Sequence, residues 1–320
     1  MKRGVISIVV VGVTVAALGC GGGQPADKAG GPLRVVATTT IVGDLARSVG
    51  GDDIELTTLM GAGVDPHLYK PSAGDVRAMA SAEVVVYNGL HLEGKMTEVL
   101  AEMGTRGVET VAVAECVPVD SLLPVEGYDT LHDPHVWFDV ELWQRAAACL
   151  RDELMRIDPE HSDGYRQRGD AVIAELAELH GWVAERVASL PEKRRVLVTA
   201  HDAFSYFGRA YGLEVRGLLG VSTSAEAGTA DVQDLAAFIA DRGLPAVFVE
   251  SSVSPRYVEA LTEAVAARGG AVAIGGSVYS DALGSPGSAA ETYVGTVRSN
   301  VETIVEALAS EPDASAGGAS

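Results

Sequence analysis

The sequence predicts an α/β protein: two lobes of (βα) type with largely parallel sheets, joined by a single long helix. Three observations predict it. Short apolar runs alternate with helical patterns over residues 33–114, and the alternation resumes after residue 195. The runs are apolar on both sides, as strands covered by helices on each face are. Between the two sets, residues 158–190 carry an imperfect helical stripe of their own.

In the first lobe, 'LRVVATTT' at 33–40 begins as a strand and 41–50 reads as a short helix. Strands follow at 54–60, 83–88 and 108–114, with a loop at 61–71 and helices near 72–80 and 92–104. 'ELWQRAAACLRDEL' reads as a further helix. The alternation predicts a parallel sheet. In the second lobe 'RVLVTA', 'LEVRGLL', 'AVFVE' and 'AVAIGG' are strands. Helices are expected in 'DAFSYFGRAYG', at 229–241, in 'SPRYVEALTEAVAARG' and from about 288 to 309. In the connector, Asp158 and Pro159 suit a helix start and Pro191 an end. Ile173, Leu176, Val183, Val187 and Leu190 supply the apolar stripe, which Gly164, Gly169 and Gly181 weaken. Such a helix would be about 48 Å long.

The termini bear on location. A short basic start, Met1 to Arg3, precedes an apolar stretch and then 'ALGC'. This predicts a signal peptide over 1–19, lipidation of Cys20, and a glycine-rich tether over 20–32. The protein would be extracytoplasmic and membrane-tethered, in a periplasm or on a cell surface. The resulting division is a lobe at 33–157, a connector at 158–190, a lobe at 191–308 and a disordered tail at 309–320. Forty-four acidic against 24 basic residues give a net charge of −20, which excludes nucleic acid as a natural partner. Cys116 and Cys149 are expected as two buried free thiols, with a disulfide as the alternative.

Four residues are candidate metal ligands. Asp-Pro-His occurs twice, in 'DPHLYKP' at 65–71 and 'DPHVWFD' at 133–139, presenting His67 and His135. His201 follows 'RVLVTA', and Asp281 lies in 'SVYSDALG' after another strand. Binding residues collect at the carboxyl ends of parallel strands. Two candidates come from each lobe, so all four can converge if the lobes face each other. Neutral imidazoles and a carboxylate suit zinc and other first-row divalent ions. Proline stiffens each turn, and Asp65 and Asp133 can brace it or accept a hydrogen bond from an imidazole. Trp137 and Phe138 are expected beside a ligand loop, and Tyr206 and Phe207 as anchors of the helix after His201. His132 reads as a loop residue, His91 as a hydrogen-bonding or packing residue that could lie near the cleft, and His161 and His180 as connector residues without a ligand role.

These motifs together resemble the solute-binding proteins of zinc/manganese ABC transporters. The likeness runs from residue 33 to about 308 and includes 'GVDPHLYKPSAGD', 'DPHVWFDV', 'HDAFSYFGRAYGL' and 'VYSDALG'. 'YNGLHLEGKM' at 87–96 and 'VFVESSVSPR' at 247–256 are further landmarks. The resemblance implies metal capture by His67, His135, His201 and Asp281, no catalytic cofactor, a membrane permease as partner, and a monomer. It implies zinc as the transported ion, manganese as the alternative, and iron or another metal after these. His201 with Asp281 is a mixed ligand set, and the long histidine-rich loop of dedicated zinc receptors is missing from 116–134. A bidentate Asp281 would make manganese acceptable. Protonation of the histidines below about pH 6 should weaken binding.

Three rivals stand beside this reading. A zinc hydrolase would need an open metal position and a base; Glu250, ending a buried strand, could be proposed, but a structural or ligand-supporting use suits it better, and no H-E-x-x-H segment occurs. An adhesive surface role would be additional to metal binding. A receptor for another small solute would lack tight metal in its cleft.

Overall fold

The computed structural model describes residues 31–128 and 130–310. The signal segment, Cys20, most of the tether and the tail beyond residue 310 lie outside the described residues. Among the described residues no helix is long and apolar enough to cross a membrane.

The first sheet has four parallel strands: β1 (Leu33–Ala37), β2 (Ile54–Thr58), β3 (Val84–Tyr87) and β4 (Glu109–Ala112), in the order β2-β1-β3-β4. Val84, Val85 and Val86 are fully buried, which accounts for their uninterrupted apolar run. Helices α1 (Thr40–Gly50), α2 (Ala73–Ser81) and α3 (Thr97–Thr105) alternate with these strands. Thr39 ends the first strand run early, because its hydroxyl accepts from Val42 N and caps α1. Ser72 and Asp75 close a capping box on α2. Helix α3 starts five residues later than its pattern suggests. Residues 88–93 turn instead around the carboxylate of Glu93, which accepts from the backbone of Asn88 and Gly89.

Helix α4 (Val140–Ile157) follows, capped by Asp139, and leads through a short 3-10 turn into α5 (Ser162–Ala188). At 27 residues α5 is about 40 Å long. It packs on α4 and α1 on one side of the molecule. It also touches α6 (Ser205–Tyr211) and α9 (Tyr293–Ala309) on the other. Gly169 serves the packing: a Cβ there would come within 2.6 Å of the Arg151 side chain on α4. The glycine that weakens the helical pattern is therefore the one that lets the two helices approach.

The second half holds two parallel ladders, β5 (Val196–His201) with β6 (Glu214–Leu219), and β7 (Ala246–Glu250) with β8 (Ala273–Val278). Strand β5 lies beside β7. Helices α7 (Thr229–Arg242) and α8 (Arg256–Ala267) complete the βα alternation. Two lobes joined by a long helix are thus the observed architecture.

The cysteines correct an expectation. Cys116 and Cys149 form a disulfide, with Cα atoms 6.2 Å apart, a normal bridging separation. Cys116 is exposed and Cys149 half-buried, so neither is a sequestered thiol. The physical reason is tertiary. The turn Val113–Cys116 leaves β4 and packs on α4, bringing together residues that are 33 apart in sequence.

Candidate metal centre

Each sequence-predicted ligand sits just past a strand or in a braced turn. His201 is the last residue of β5, and Asp281 lies three residues beyond β8. Gly217 lets β6 press against His201, since a Cβ there would lie 2.6 Å from the His201 carbonyl carbon. His67 and His135 come from the two Asp-Pro-His turns, which fold alike. Asp65 Oδ1 accepts from His67 N at 2.8 Å, and Asp133 Oδ1 accepts from His135 N at 2.9 Å. The repeated tripeptide is therefore one turn used twice, with the aspartate closing the loop two residues on.

The structure brings all four side chains together. His67, His135, His201 and Asp281 are buried, and one ligand atom from each lies within 4.8 Å of all the others. His67 Nε2 and His135 Nε2 are 3.4 Å apart. Asp281 Oδ1 is 3.4 Å from His135 Nε2 and 3.5 Å from His201 Nε2. Asp281 Oδ1 and His201 Nε2 have no hydrogen-bond partner although both are buried. Donors that share a focus and lack partners are what a cation site presents.

Outer contacts fix the orientation of these groups. Asp133 Oδ1 also meets His135 Nδ1 at 2.6 Å, which turns Nε2 toward the shared focus. Glu250, at the end of β7, receives His201 N on Oε1 at 2.7 Å and places Oε2 2.5 Å from His201 Nδ1. Asp281 Oδ2 accepts from Ser252 Oγ at 3.0 Å. Asp65 Oδ2 takes the Thr223 hydroxyl at 2.6 Å instead of an imidazole. The two aspartates thus brace both turns, but only Asp133 reaches a ring.

The electrostatics follow from these neighbours. Burial lowers His67 to about 3, so it is neutral at ordinary pH. Burial opposes a charge on His135, but the carboxylates of Asp133 and Asp281 outweigh it and push the ring up to about 9. Burial likewise opposes a charge on His201, yet Glu250 and then Asp281 hold it well above its ordinary value. Asp281 would be raised by burial, but the charge of His201 and the close approach of the His135 and His201 rings hold it well below the usual carboxylate range.

The remaining histidines stay outside the cluster. His91 and His132 line a cavity of about 540 Å3 that His67 also borders. His161 meets Asp158, and His180 meets the Tyr211 hydroxyl, as connector residues without a ligand role would. Trp137 stacks edge-on at 5.2 Å from His135 and donates to Ser280 O. Tyr206 donates to Asp133 O. Ser252 and Thr223 were not singled out from sequence, and single serines and threonines in loops carry no spacing that would mark them. Glu250 had a signal, an acidic residue ending an apolar strand run, which favours a structural or ligand-supporting use over a base, and it contacts His201.

The model of the family described as zinc-uptake complex component A, periplasmic, matches residues 35–307. The zinc-binding protein TroA of Treponema pallidum is 49% identical over 289 residues, covering 90% of this chain and 92% of that protein. The manganese-binding lipoprotein MntA of Bacillus subtilis is 44% identical over 308 residues, covering 96% of this chain and all of that protein. The solved structure of Treponema pallidum TroA superposes with a TM-score of 0.84 over 88% of this chain and 100% of its own. With the site's geometry, the two-lobed fold and a match across nearly the whole described chain in agreement, this protein belongs to the periplasmic zinc-uptake component A family.

Proposed function

We propose that the protein captures a divalent transition metal outside the cytoplasm, zinc foremost, and delivers it to an ABC permease for import. The ligands are His67, His135, His201 and Asp281, two from each lobe. On this reading residues 33–157 and 191–308 are the metal-binding lobes and 158–190 is the connector. One observation carries the reading: the spacing of the buried donor atoms. Tetrahedral ligands at zinc's usual distances of about 2.0–2.1 Å lie about 3.3–3.4 Å from one another. Three of the six donor pairs here lie at 3.4, 3.4 and 3.5 Å, and all six lie within 4.8 Å.

Asp281 supports zinc further. Its Oδ2 is engaged by Ser252, leaving Oδ1 as the single oxygen facing the imidazoles, which suits a coordination number of four. Manganese is the second reading. It is favoured by the identity to a manganese-binding relative and requires Asp281 to turn both oxygens inward. The metal is cargo, and the protein is a receptor without catalytic activity. Glu250 supports that view, because both of its oxygens face His201 rather than a place where water could be activated. The lipidated Cys20 would anchor a monomer to the membrane, in keeping with the word lipoprotein in the name of the Bacillus relative.

The test is a competition. The mature protein is stripped with chelator and equilibrated with buffered zinc and manganese together. One zinc per chain at equal free metal is expected, as the order of intrinsic affinities also favours. Stable manganese occupancy under those conditions would move the assignment to manganese. No stoichiometric metal of either kind would overturn the function.

A further inference from the structure

The segment 'YNGLHLEGKM' at 87–96 supplies no ligand, yet its conformation is unusual. Leu90 and His91, with φ of 51° and 64°, are the non-glycine residues with positive φ among the described residues, and Gly89 before them has φ 86°. An L-residue adopts this region at a cost, so something local must hold it there. That something is Glu93. It is 2% exposed, and its carboxylate accepts from Thr38 Oγ1 at 2.7 Å, Asn88 N at 2.8 Å and Gly89 N at 3.2 Å.

The product of this tight turn is the placement of Asn88. Its side chain is fully buried, and Nδ2 donates to Gly89 O at 3.1 Å and to Pro134 O at 3.0 Å. Pro134 directly precedes His135. One residue earlier, the carbonyl of Asp133 accepts from Tyr206 on α6 at 2.9 Å. The backbone leading into His135 is thus held from the first lobe by Asn88 and from the second by Tyr206. Asn88 Oδ1 is buried without a partner. A side chain kept only to fill space would not need an amide there, since an unpaired buried acceptor is unfavourable.

We propose that Asn88, seated by Glu93, is a positioning residue for the His135 arm of the metal site. It fixes the Pro134 carbonyl, so the turn is ordered before the metal arrives. His135 then keeps Nδ1 on Asp133 and Nε2 on the shared focus. A ligand ordered in advance costs less to bind. The proposal rests on the four-residue site being a metal site.

The test measures zinc affinity of the mature chain by chelator competition for Asn88→Ala, Asn88→Asp, His135→Ala and the double variant Asn88→Ala/His135→Ala. Asn88→Asp keeps the volume and removes the donor. Met79→Ala, a fully buried change on α2 in the same lobe, calibrates a loss of stability alone. Asn88→Ala and Asn88→Asp should each weaken zinc roughly tenfold, as loss of outer contacts to ligands does. In the His135→Ala background the Asn88 change should add less than about twofold, because its effect runs through His135. Met79→Ala should lower the melting temperature with affinity nearly unchanged. Equal losses from Asn88→Ala in both backgrounds, or a loss no larger than that of Met79→Ala, would overturn the positioning role. If the unaltered protein binds no metal, the metal-site reading fails first and this inference falls with it.

Discussion

The imidazole and carboxylate atoms at the centre owe their aim to residues that touch no ion. Asp133 orients His135, Glu250 orients His201, and Ser252 occupies the outer oxygen of Asp281. Glu250 is the most informative of these, because it meets both the backbone and the ring of His201. Replacing it with glutamine keeps the shape and removes the charge. Zinc affinity measured by chelator competition should then fall about 10–100-fold. An affinity within about threefold of the unaltered protein would show that Glu250 does not support the ligand. At this scale the sequence was legible where residue types repeat in a recognisable turn. Both Asp-Pro-His copies announced themselves, and loop placement pointed to His201 and Asp281. The supports were harder to read. Thr223 reaches Asp65 across 158 positions and Ser252 reaches Asp281 across 29, and no local pattern encodes such pairings.

Strands and helices were legible wherever periodicity decides them. The valine runs became buried parallel strands and the connector became α5. The misses come from side chains that compete with the regular backbone. Thr39 ended a strand by capping a helix, and Glu93 unwound the first turns expected of α3. The disulfide was missed because cysteine spacing says nothing about whether a turn after β4 packs on α4. It has an energetic consequence at this scale. The bridge closes a segment that contains the whole His135 loop. Replacing both cysteines with serine should lower the unfolding free energy by about 2–4 kcal/mol, the usual contribution of a bridge of this loop size. Denaturant melts of the metal-free protein measure it, and an unchanged midpoint would contradict the stabilising role.

Across the whole molecule, each lobe holds the loops that carry the clustered side chains of the other. Thr40 on α1 accepts from Leu283 N, two residues past Asp281, and Asp44 accepts from Tyr293 N at the start of α9. Tyr293 donates back to Trp137 O, and Trp137 donates to Ser280 O. Tyr206 binds the turn before His135, and Thr223 binds the turn before His67. Helix α5 packs on helices from both halves. These cross-links and the long connector oppose a wide hinge. Loading and release would then fall to small lobe adjustments.

The most direct test of the account is a crystal structure of the zinc-loaded mature protein, with the ion located by anomalous scattering at the zinc edge. One ion is expected between the lobes, bound by His67, His135, His201 and Asp281 at about 2.0–2.2 Å from each. An ion held by one lobe alone, or placed away from these four residues, would contradict it.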